Sequence, residues 1–198
     1  MSLYKPQLTY EDFFKVLRDE TSSRDIRRAM KCFQRNLVLP EWFHQRSINT
    51  WSPFELALNS GSLTLIETFL KAGANPSEDP GQSMRQRIPL VFASERDNFS
   101  LLQLLLRYGA NPHLSDYLGV HPLIRRIKTG TYAENEKWVQ AFLNAGVKTD
   151  VVLPSFQGKT PREMAQKSHY SEWLALLDAH DLNLSTPLMS RKRSSLRL

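Results

Sequence analysis

The pattern of apolar positions predicts pairs of short amphipathic helices along most of the chain. The clearest segment is rich in leucine and would give a helix a wide apolar face: Leu101, Leu102, Leu104, Leu105 and Leu106. Asp97-Asn98, just before it, is typical of a tight turn. We therefore expect helices over residues 89–96 and 99–108. Similar apolar pairs occur elsewhere, at Phe69-Leu70, Phe142-Leu143 and Leu176-Leu177.

Two short phrases recur around these helices. The first has a proline at its second position and occurs as Ser52-Pro53-Phe54-Glu55-Leu56-Ala57, Ile88-Pro89-Leu90-Val91-Phe92-Ala93, His121-Pro122-Leu123-Ile124 and Thr160-Pro161-Arg162-Glu163-Met164-Ala165. The second begins with glycine and occurs as Gly73-Ala74-Asn75-Pro76, Gly109-Ala110-Asn111-Pro112 and, more loosely, Gly146-Val147-Lys148-Thr149. The proline-to-glycine separations are 73 − 53 = 20, 109 − 89 = 20 and 146 − 122 = 24 residues. The third copy thus holds about four extra residues, which we place within 130–136.

Each phrase has a local physical reason. Proline suits the first position of a helix, because its missing N–H has no partner there and its φ is already helical. Glycine suits the position just after a helix, where the chain turns through a left-handed conformation. The phrases therefore predict where each helix pair starts and ends, and single pairs must stack on neighbours to bury their apolar faces.

The two phrases in this register resemble the ankyrin repeat, which has a period of ~33 residues and the signature T-P-L-H-x-A. The full Thr-Pro occurs only at Thr160-Pro161, and the signature histidine is replaced in every copy. The resemblance implies an all-α fold, an ankyrin-repeat solenoid with a helical N-terminal cap. The repeats would cover about 49–81, 82–117, 118–154 and 155–180, the last being a C-terminal cap.

Residues 1–48 lack both phrases. Thr9 followed by Asp12 predicts a capped first helix, and Ser22 or Ser23 would cap a second helix over 24–36 that Leu39-Pro40 stops. Two interpretations are open for this section. It is either a helical cap on the array or a separate small docking module.

Composition narrows the class of protein. The 198 residues hold 26 Lys and Arg against 20 Asp and Glu, a net charge of +6, which favours acidic partners without indicating nucleic-acid binding. Cys32 is the single cysteine, so a disulfide scaffold and a Cys-rich zinc site are excluded. No signal peptide and no membrane-spanning run is visible. These features predict a monomer in the cytoplasm.

Residues 181–198 are predicted to form a flexible basic tail, because they are polar and contain the run Arg191-Lys192-Arg193. Nuclear import, phosphorylation of the serines that follow, and weak contact with acidic lipid headgroups are open alternatives to a merely solubilising role.

No catalytic, cofactor or metal constellation is visible, so an enzyme is not expected. The five histidines are scattered without an acidic or cysteine partner at metal-ligand spacing. His121 stands where ankyrin repeats often have threonine, which favours a turn or cap role. Cys32 lies beside Phe33 in a helical pattern and is interpreted as a buried small hydrophobe.

The resemblance implies a scaffold that binds another protein or a peptide on a concave face made of hairpin-like fingers and the first helix of each repeat. The fingers would span about 77–88, 111–120 and 148–159, and the first is longer and basic. The candidate contact residues are Met84, Arg85, Arg87, His113, Asp116, Tyr117, Arg125, Lys128, Phe156 and Lys159. A groove lined by arginine and lysine from this set would prefer an acidic partner.

A second function class remains open. Residues 1–48 could dock the chain into a ubiquitin-ligase-like complex as its substrate-recruiting part. Alternatively, the divergent repeats, with many Gln, Asn and Lys residues, resemble an ankyrin-type effector of an intracellular bacterium that acts on a protein in the host cytosol.

Overall fold

A computed structural model describes residues 8–18, 23–45, 51–78, 88–115, 119, 121–128, 132–150, 158–167 and 171–185. These residues form α-helices and one 3₁₀ helix, and no strand occurs among them. The helices are α1 (Tyr10–Arg18), α2 (Ser23–Gln34), the 3₁₀ helix (Pro40–Trp42), α3 (Pro53–Ser60), α4 (Leu63–Lys71), α5 (Pro89–Glu95), α6 (Phe99–Arg107), α7 (Pro122–Lys128), α8 (Tyr132–Asn144), α9 (Pro161–Lys167) and α10 (Ser171–Ser185).

The chain divides into two compact units, Met1–Asn111 and Pro112–Leu198. In the first unit α1 packs on α2, α3 on α4 and α5 on α6, and the pairs meet where α1 contacts α3, α2 contacts α4 and α4 contacts α6. In the second unit α7 packs on α8 and α9 on α10, while α7 contacts α9 and α8 contacts α10. Within each unit, then, these contacts between helix pairs join first helices to first helices or second helices to second helices, as expected for stacked repeats.

Reciprocal hydrogen bonds fix the starts of three helices. Ser52 N–H donates to Oε2 of Glu55 at 2.6 Å, and Glu55 N–H donates back to Oγ of Ser52 at 3.2 Å. The same exchange joins Thr160 to Glu163 at 2.8 and 3.1 Å. Thr9 exchanges hydrogen bonds with Asp12 in this way as well, which confirms the predicted start of α1.

A left-handed residue ends four of the second helices. Gly73, Gly109 and Gly146 have φ of +100°, +83° and +95°. Asn36 takes φ +52° in the same role, and its N–H donates to Phe33 O while the next N–H donates to Cys32 O. This turn ends α2 at Gln34, two residues before the predicted end at 36. The left-handed residue, rather than Leu39-Pro40, therefore stops the helix.

The extra residues of the third copy form an additional helical turn. Helix α8 has 13 residues, whereas α4 and α6 have 9 each, a difference of 13 − 9 = 4. The insertion predicted within 130–136 thus lengthens the start of α8.

Helix α10 is longer than the sequence pattern suggests. It runs to Ser185 and includes residues 181–185, which the sequence analysis assigned to the tail. The polar stretch Asp178-Ala179-His180 therefore does not end the helix. The first helix-breaking residue after the helix is Pro187.

An aromatic cluster forms the core of the first unit. The ring of Phe69 on α4 lies 6.1 Å from that of Phe13 on α1, 4.8 Å from Phe33 on α2 and 5.2 Å from Phe43 after the 3₁₀ helix. Phe13, Phe43 and Phe69 are at most 1% exposed. The N-terminal helices therefore share one apolar core with the first predicted repeat.

Candidate interaction surface

The bases of the fingers in the first unit are tied to the segments that precede them. Asn75, in the first Gly-Ala-Asn-Pro phrase, donates its backbone N–H to Nε2 of His44 at 2.9 Å. Asn111, in the second, donates its backbone N–H to Oγ of Ser77 at 2.6 Å. Equivalent residues of successive repeats therefore make equivalent hydrogen bonds, each to the element before it. This finger-base ladder consists of His44, Asn75, Ser77 and Asn111.

His44 is the first residue of this ladder, and both of its ring nitrogens have hydrogen-bonding partners. Nε2 accepts from the Asn75 N–H, and Nδ1 lies in hydrogen-bonding contact with Oε2 of Glu78. The ring also meets Phe54 edge to face at 5.7 Å. The segment after the 3₁₀ helix therefore takes the place that a preceding finger would occupy.

In the second unit His121 caps α7 from a fully buried position. Nδ1 accepts the Leu123 N–H at 3.1 Å, and Nε2–H donates to the carbonyl of Pro112 at 2.6 Å. Burial lowers the pKa of His121 to about 4, so the ring is neutral at neutral pH. The cap role predicted for this histidine is confirmed.

The last helix of the second unit is held by a carboxylate at its end. Asp181 accepts hydrogen bonds from Thr149 Oγ1 at 2.6 Å and from Arg162 Nη2 at 2.7 Å. Burial raises the pKa of Asp181, but hydrogen bonds, above all from Thr149 and Arg162, outweigh burial and hold it below its usual range. These bonds join α9, α10 and the base of the third predicted finger within this unit.

The fold is that of an ankyrin repeat domain. A model of the ankyrin repeat family matches residues 85–117, which is the second predicted repeat. A crystal structure of an ankyrin repeat domain from Acinetobacter baumannii AYE superposes with a TM-score of 0.65 at 22% identity, covering 83% of this chain and 80% of that one. The chain contains an ankyrin repeat and has the ankyrin repeat fold. The predicted all-α fold class is confirmed with it.

A curated relative matches part of this chain. Dynein axonemal heavy chain 12 of Bos taurus is 29% identical over 100 residues, which make up 50% of this chain and 26% of that protein. The chain therefore spans about a quarter of the length of that relative. Ankyrin repeats in general are protein–protein interaction modules without catalytic activity, which is the coarse function of the fold.

The candidate contact residues fall largely outside the part of the chain that the structure describes. Outside it lie Met84, Arg85, Arg87, Asp116, Tyr117 and Phe156. Arg125 and Lys128 lie on α7, without a described side-chain position. His113 is exposed and Lys159 is half-buried. The acidic-preferring groove and its residues therefore stay a prediction.

Another basic residue of α7 has a structural role. The guanidinium carbon of Arg126 lies 3.8 Å from the ring centroid of Trp138, and its Nη1 donates to Oδ1 of Asn135 at 3.1 Å. Trp138 is fully buried. Arg126 therefore joins α7 to α8 through a cation–π contact.

Sequence reasoning missed two positions that organise the first unit. Asn36 stands 73 − 36 = 37 residues before Gly73, and the next intervals are 109 − 73 = 36 and 146 − 109 = 37. A search for left-handed residues at this period, with asparagine allowed, would have found it. No comparable signal in the sequence indicates His44, because its bonds depend on the packing of the 3₁₀ segment.

The outer surface of the first unit carries a polar network. The carboxylate of Glu67 on α4 accepts hydrogen bonds from the Tyr108 hydroxyl at 3.1 Å and from Arg107 Nη2 at 3.3 Å, while Lys71 Nζ lies 3.4 Å away. The hydrogen bond from Tyr108, followed by the contribution of Lys71, holds the pKa of Glu67 below its usual range. One carboxylate therefore offsets part of the charge of two cations, and the network keeps a net charge of +1.

The burial expected for Cys32 is only partial. Cys32 is half-buried rather than buried, and burial still raises the pKa of its thiol. No group of His, Cys, Asp or Glu side chains suited to hold a metal ion occurs among the described residues. No helix in the described ranges has the length and apolar character needed to cross a membrane.

Proposed function

We propose that this protein is a non-catalytic scaffold that binds an acidic protein or peptide through the fingers of its repeats. The finger-base ladder carries the proposal. Because Asn75 and Asn111 are each hydrogen-bonded to the preceding segment, the bases of two fingers are held in fixed positions before a partner arrives. A surface ordered in advance loses less entropy on binding.

The acidic preference rests on charge. The net charge of the chain is +6, and the first finger contributes Arg85 and Arg87 near its tip. Arg125 and Lys128 on α7 add two more cations at positions where ankyrin repeats usually have small or apolar residues. Partners with clustered carboxylates would associate faster with such a surface, and more slowly as salt is raised.

Affinity purification tests the proposal. The tagged full chain is used to capture partners from a candidate cell lysate, which are then identified by mass spectrometry and remeasured as purified proteins. The double variant Arg85→Glu and Arg87→Glu should weaken binding of the purified partner about tenfold or more. The matched control reverses two exposed lysines on helices, Lys137→Glu and Lys167→Glu, and should change affinity less than about twofold.

Equal loss of binding in both double variants would show that only net charge matters and would contradict a finger site. Unchanged binding in both would contradict the acidic preference. Turnover of the partner by the purified chain would contradict the non-catalytic assignment.

The alternative function uses the N-terminal section as a docking segment, in a substrate-recruiting module or in a bacterial effector that acts on a host protein. The shared aromatic core argues against a separable module, since Phe13 and Phe33 pack on Phe69 of the first repeat. We therefore favour a cap for residues 1–48. A monomer in the cytoplasm remains part of the proposal.

A further inference from the structure

A groove crosses the N-terminal helix pair between α1 and α2. It has a volume of about 580 Å³ and is open to solvent. Its lining comes from Asp12, Lys15 and Val16 on α1 and includes Arg28 and Cys32 on α2. The buried residues of the same helices, Phe13 and Ala29, are at different positions around the helix and belong to the core. The groove therefore lies away from the side that packs on the first repeat.

The charge of this groove is strongly one-sided. Four cations line it, and all four side chains are exposed: Lys15, Arg28, Lys31 and Arg35. Asp12 is the single acidic residue in its lining, and its carboxylate accepts hydrogen bonds from the N–H and hydroxyl of Thr9 at 3.2 and 2.7 Å. Four cations against one carboxylate leave the lining with an excess of three positive charges.

The lining between these cations is apolar. Leu8, Val16 and Cys32 are half-buried, and Leu37 is 38% exposed. Apolar surface bordered by cations fits a segment that carries apolar side chains on one face and carboxylates beside them, as in an amphipathic acidic helix.

The chain itself supplies no matching segment near its ends. Residues 1–7 and 186–198 contain five Lys and Arg and no Asp or Glu. Their charge has the same sign as that of the groove, so electrostatics does not favour them as its ligand. A further repeat stacked on this side would also have to bury the four cations, which opposes it. Charge complementarity thus points to a different, acidic molecule.

We propose that the groove between α1 and α2 binds an acidic amphipathic helical segment of a partner protein. This site goes beyond the proposed function because it lies on the N-terminal helix pair and uses none of the finger residues. The N-terminal section would then serve as both a cap and a docking surface. A partner held at both places would gain affinity through its two attachments.

Fluorescence anisotropy with defined peptides tests the proposal. The probe is a labelled 16-residue peptide with leucines at helical spacing and glutamates elsewhere, and the comparison peptide has lysine at every glutamate position. The full chain should bind the glutamate peptide at least about tenfold more tightly than the lysine peptide. Equal affinity for the two peptides would overturn the proposal.

Charge variants locate the site. The pair Lys15→Glu and Lys31→Glu should weaken binding of the glutamate peptide about tenfold or more, and the control pair Lys137→Glu and Lys167→Glu less than about twofold. A carboxylate at position 31 lies one turn from Arg27 and Arg35, which supports α2. If the reversal nevertheless unfolds the chain, Lys15→Gln with Lys31→Gln should still weaken binding by about threefold. An equal loss in the control pair would overturn the site.

The single cysteine gives a direct readout of occupancy. Cys32 lines the groove, so a bound peptide should slow its reaction with a maleimide several-fold, and the control lysine peptide should not. A rate unchanged at saturating glutamate peptide would overturn the proposal. Tighter binding to phosphatidylserine vesicles or to a 16-nucleotide single strand than to the peptide would also overturn it, in favour of a membrane or nucleic acid.

The experiment separates this site from the fingers. The variant pair Arg85→Glu and Arg87→Glu should leave both peptide affinity and protection of Cys32 unchanged. A loss caused by those variants would assign the acidic peptide to the fingers and would contradict a groove site.

Discussion

The ring of Phe33 on α2 meets the ring of Phe69 on α4 edge to face, with 4.8 Å between centroids and 72° between planes. This contact places an N-terminal residue in the core of a predicted repeat 36 residues later in the chain. The core of the first unit is therefore completed by residues outside the repeat phrases, so its stability depends on them.

Replacing Phe33 tests this dependence. Phe33→Ala should lower the free energy of unfolding of the first unit by about 2–4 kcal/mol, because it removes aromatic contacts with Phe13, Phe43 and Phe69. Urea unfolding followed by fluorescence of Trp42 and Trp51 measures the loss. The control Leu39→Ala, at a side chain 44% exposed, should cost less than about 1 kcal/mol. Deleting residues 1–48 without loss of stability would contradict the cap and favour a separate module.

The left-handed turns predict losses of different size for two substitutions at one site. Gly109 has φ +83°, and a Cβ added there would meet no atom within 4 Å, so the cost of Gly109→Ala is backbone strain alone. We expect a loss of about 1–2 kcal/mol. Gly109→Asn should cost less than half of that, since Asn36 adopts the same conformation. Thermal unfolding monitored by circular dichroism ranks the three chains, and equal losses for alanine and asparagine would contradict this explanation.

Buried His121 predicts that the second unit loses stability in acid. The folded pKa of about 4 lies below the ordinary value of 6.5, so the unfolded chain binds a proton that the folded chain excludes. The stabilising effect is complete above pH 6.5 and is lost as pH falls toward 4. The full difference of about 2.5 pH units corresponds to about 3 kcal/mol.

The measurement compares urea unfolding at several pH values between 4 and 7, followed by fluorescence of Trp138 and Trp173. His121→Asn keeps a good capping side chain but does not titrate, so the pH dependence between 6.5 and 4 should shrink by most of that amount. The control His113→Asn, at an exposed position, should retain it. Identical pH profiles for the wild type and the His121 variant would contradict a buried neutral histidine.

The end of α10 predicts that two truncations differ. Ending the chain after His180 removes Asp181 and its hydrogen bonds to Thr149 and Arg162, which should cost the second unit about 1–3 kcal/mol. Ending it after Ser185 keeps the whole helix and should change stability by less than about 0.5 kcal/mol. Fluorescence-detected unfolding measures both, and equal stability of the two truncated chains would contradict a structural role for the last helical turn.

Most of the helix boundaries follow from the sequence because they depend on local chemistry. The predicted helices 89–96 and 99–108 are observed as Pro89–Glu95 and Phe99–Arg107. The discrepancies arise where the signal is less specific. Asn36, rather than the expected Leu39-Pro40, stops α2. Helix α10 continues past its predicted end, where Asp181 bonds to distant side chains.

The candidate site, too, is predicted in part by local sequence and in part only by long-range contacts. The fingers are visible as phrases, and their asparagines were found from the sequence. The hydrogen bonds that fix those asparagines come from His44 and Ser77, which lie 75 − 44 = 31 and 111 − 77 = 34 residues away. The basic groove brings Lys15 and Lys31 together from different helices, which no spacing within one helix reveals.

The sequence by itself determined the repeat, because proline starts, capping boxes and left-handed ends act over a few neighbouring residues. Only the tertiary structure decided which residues of the N-terminal helices join the core and which line a groove. Their apolar residues become part of a core, as when Phe13 packs on Phe69, 69 − 13 = 56 positions away. Their cations line a groove, as do Lys15 and Lys31, which are 31 − 15 = 16 positions apart. Such contacts depend on how helices stack, and local preferences of the chain do not encode that stacking.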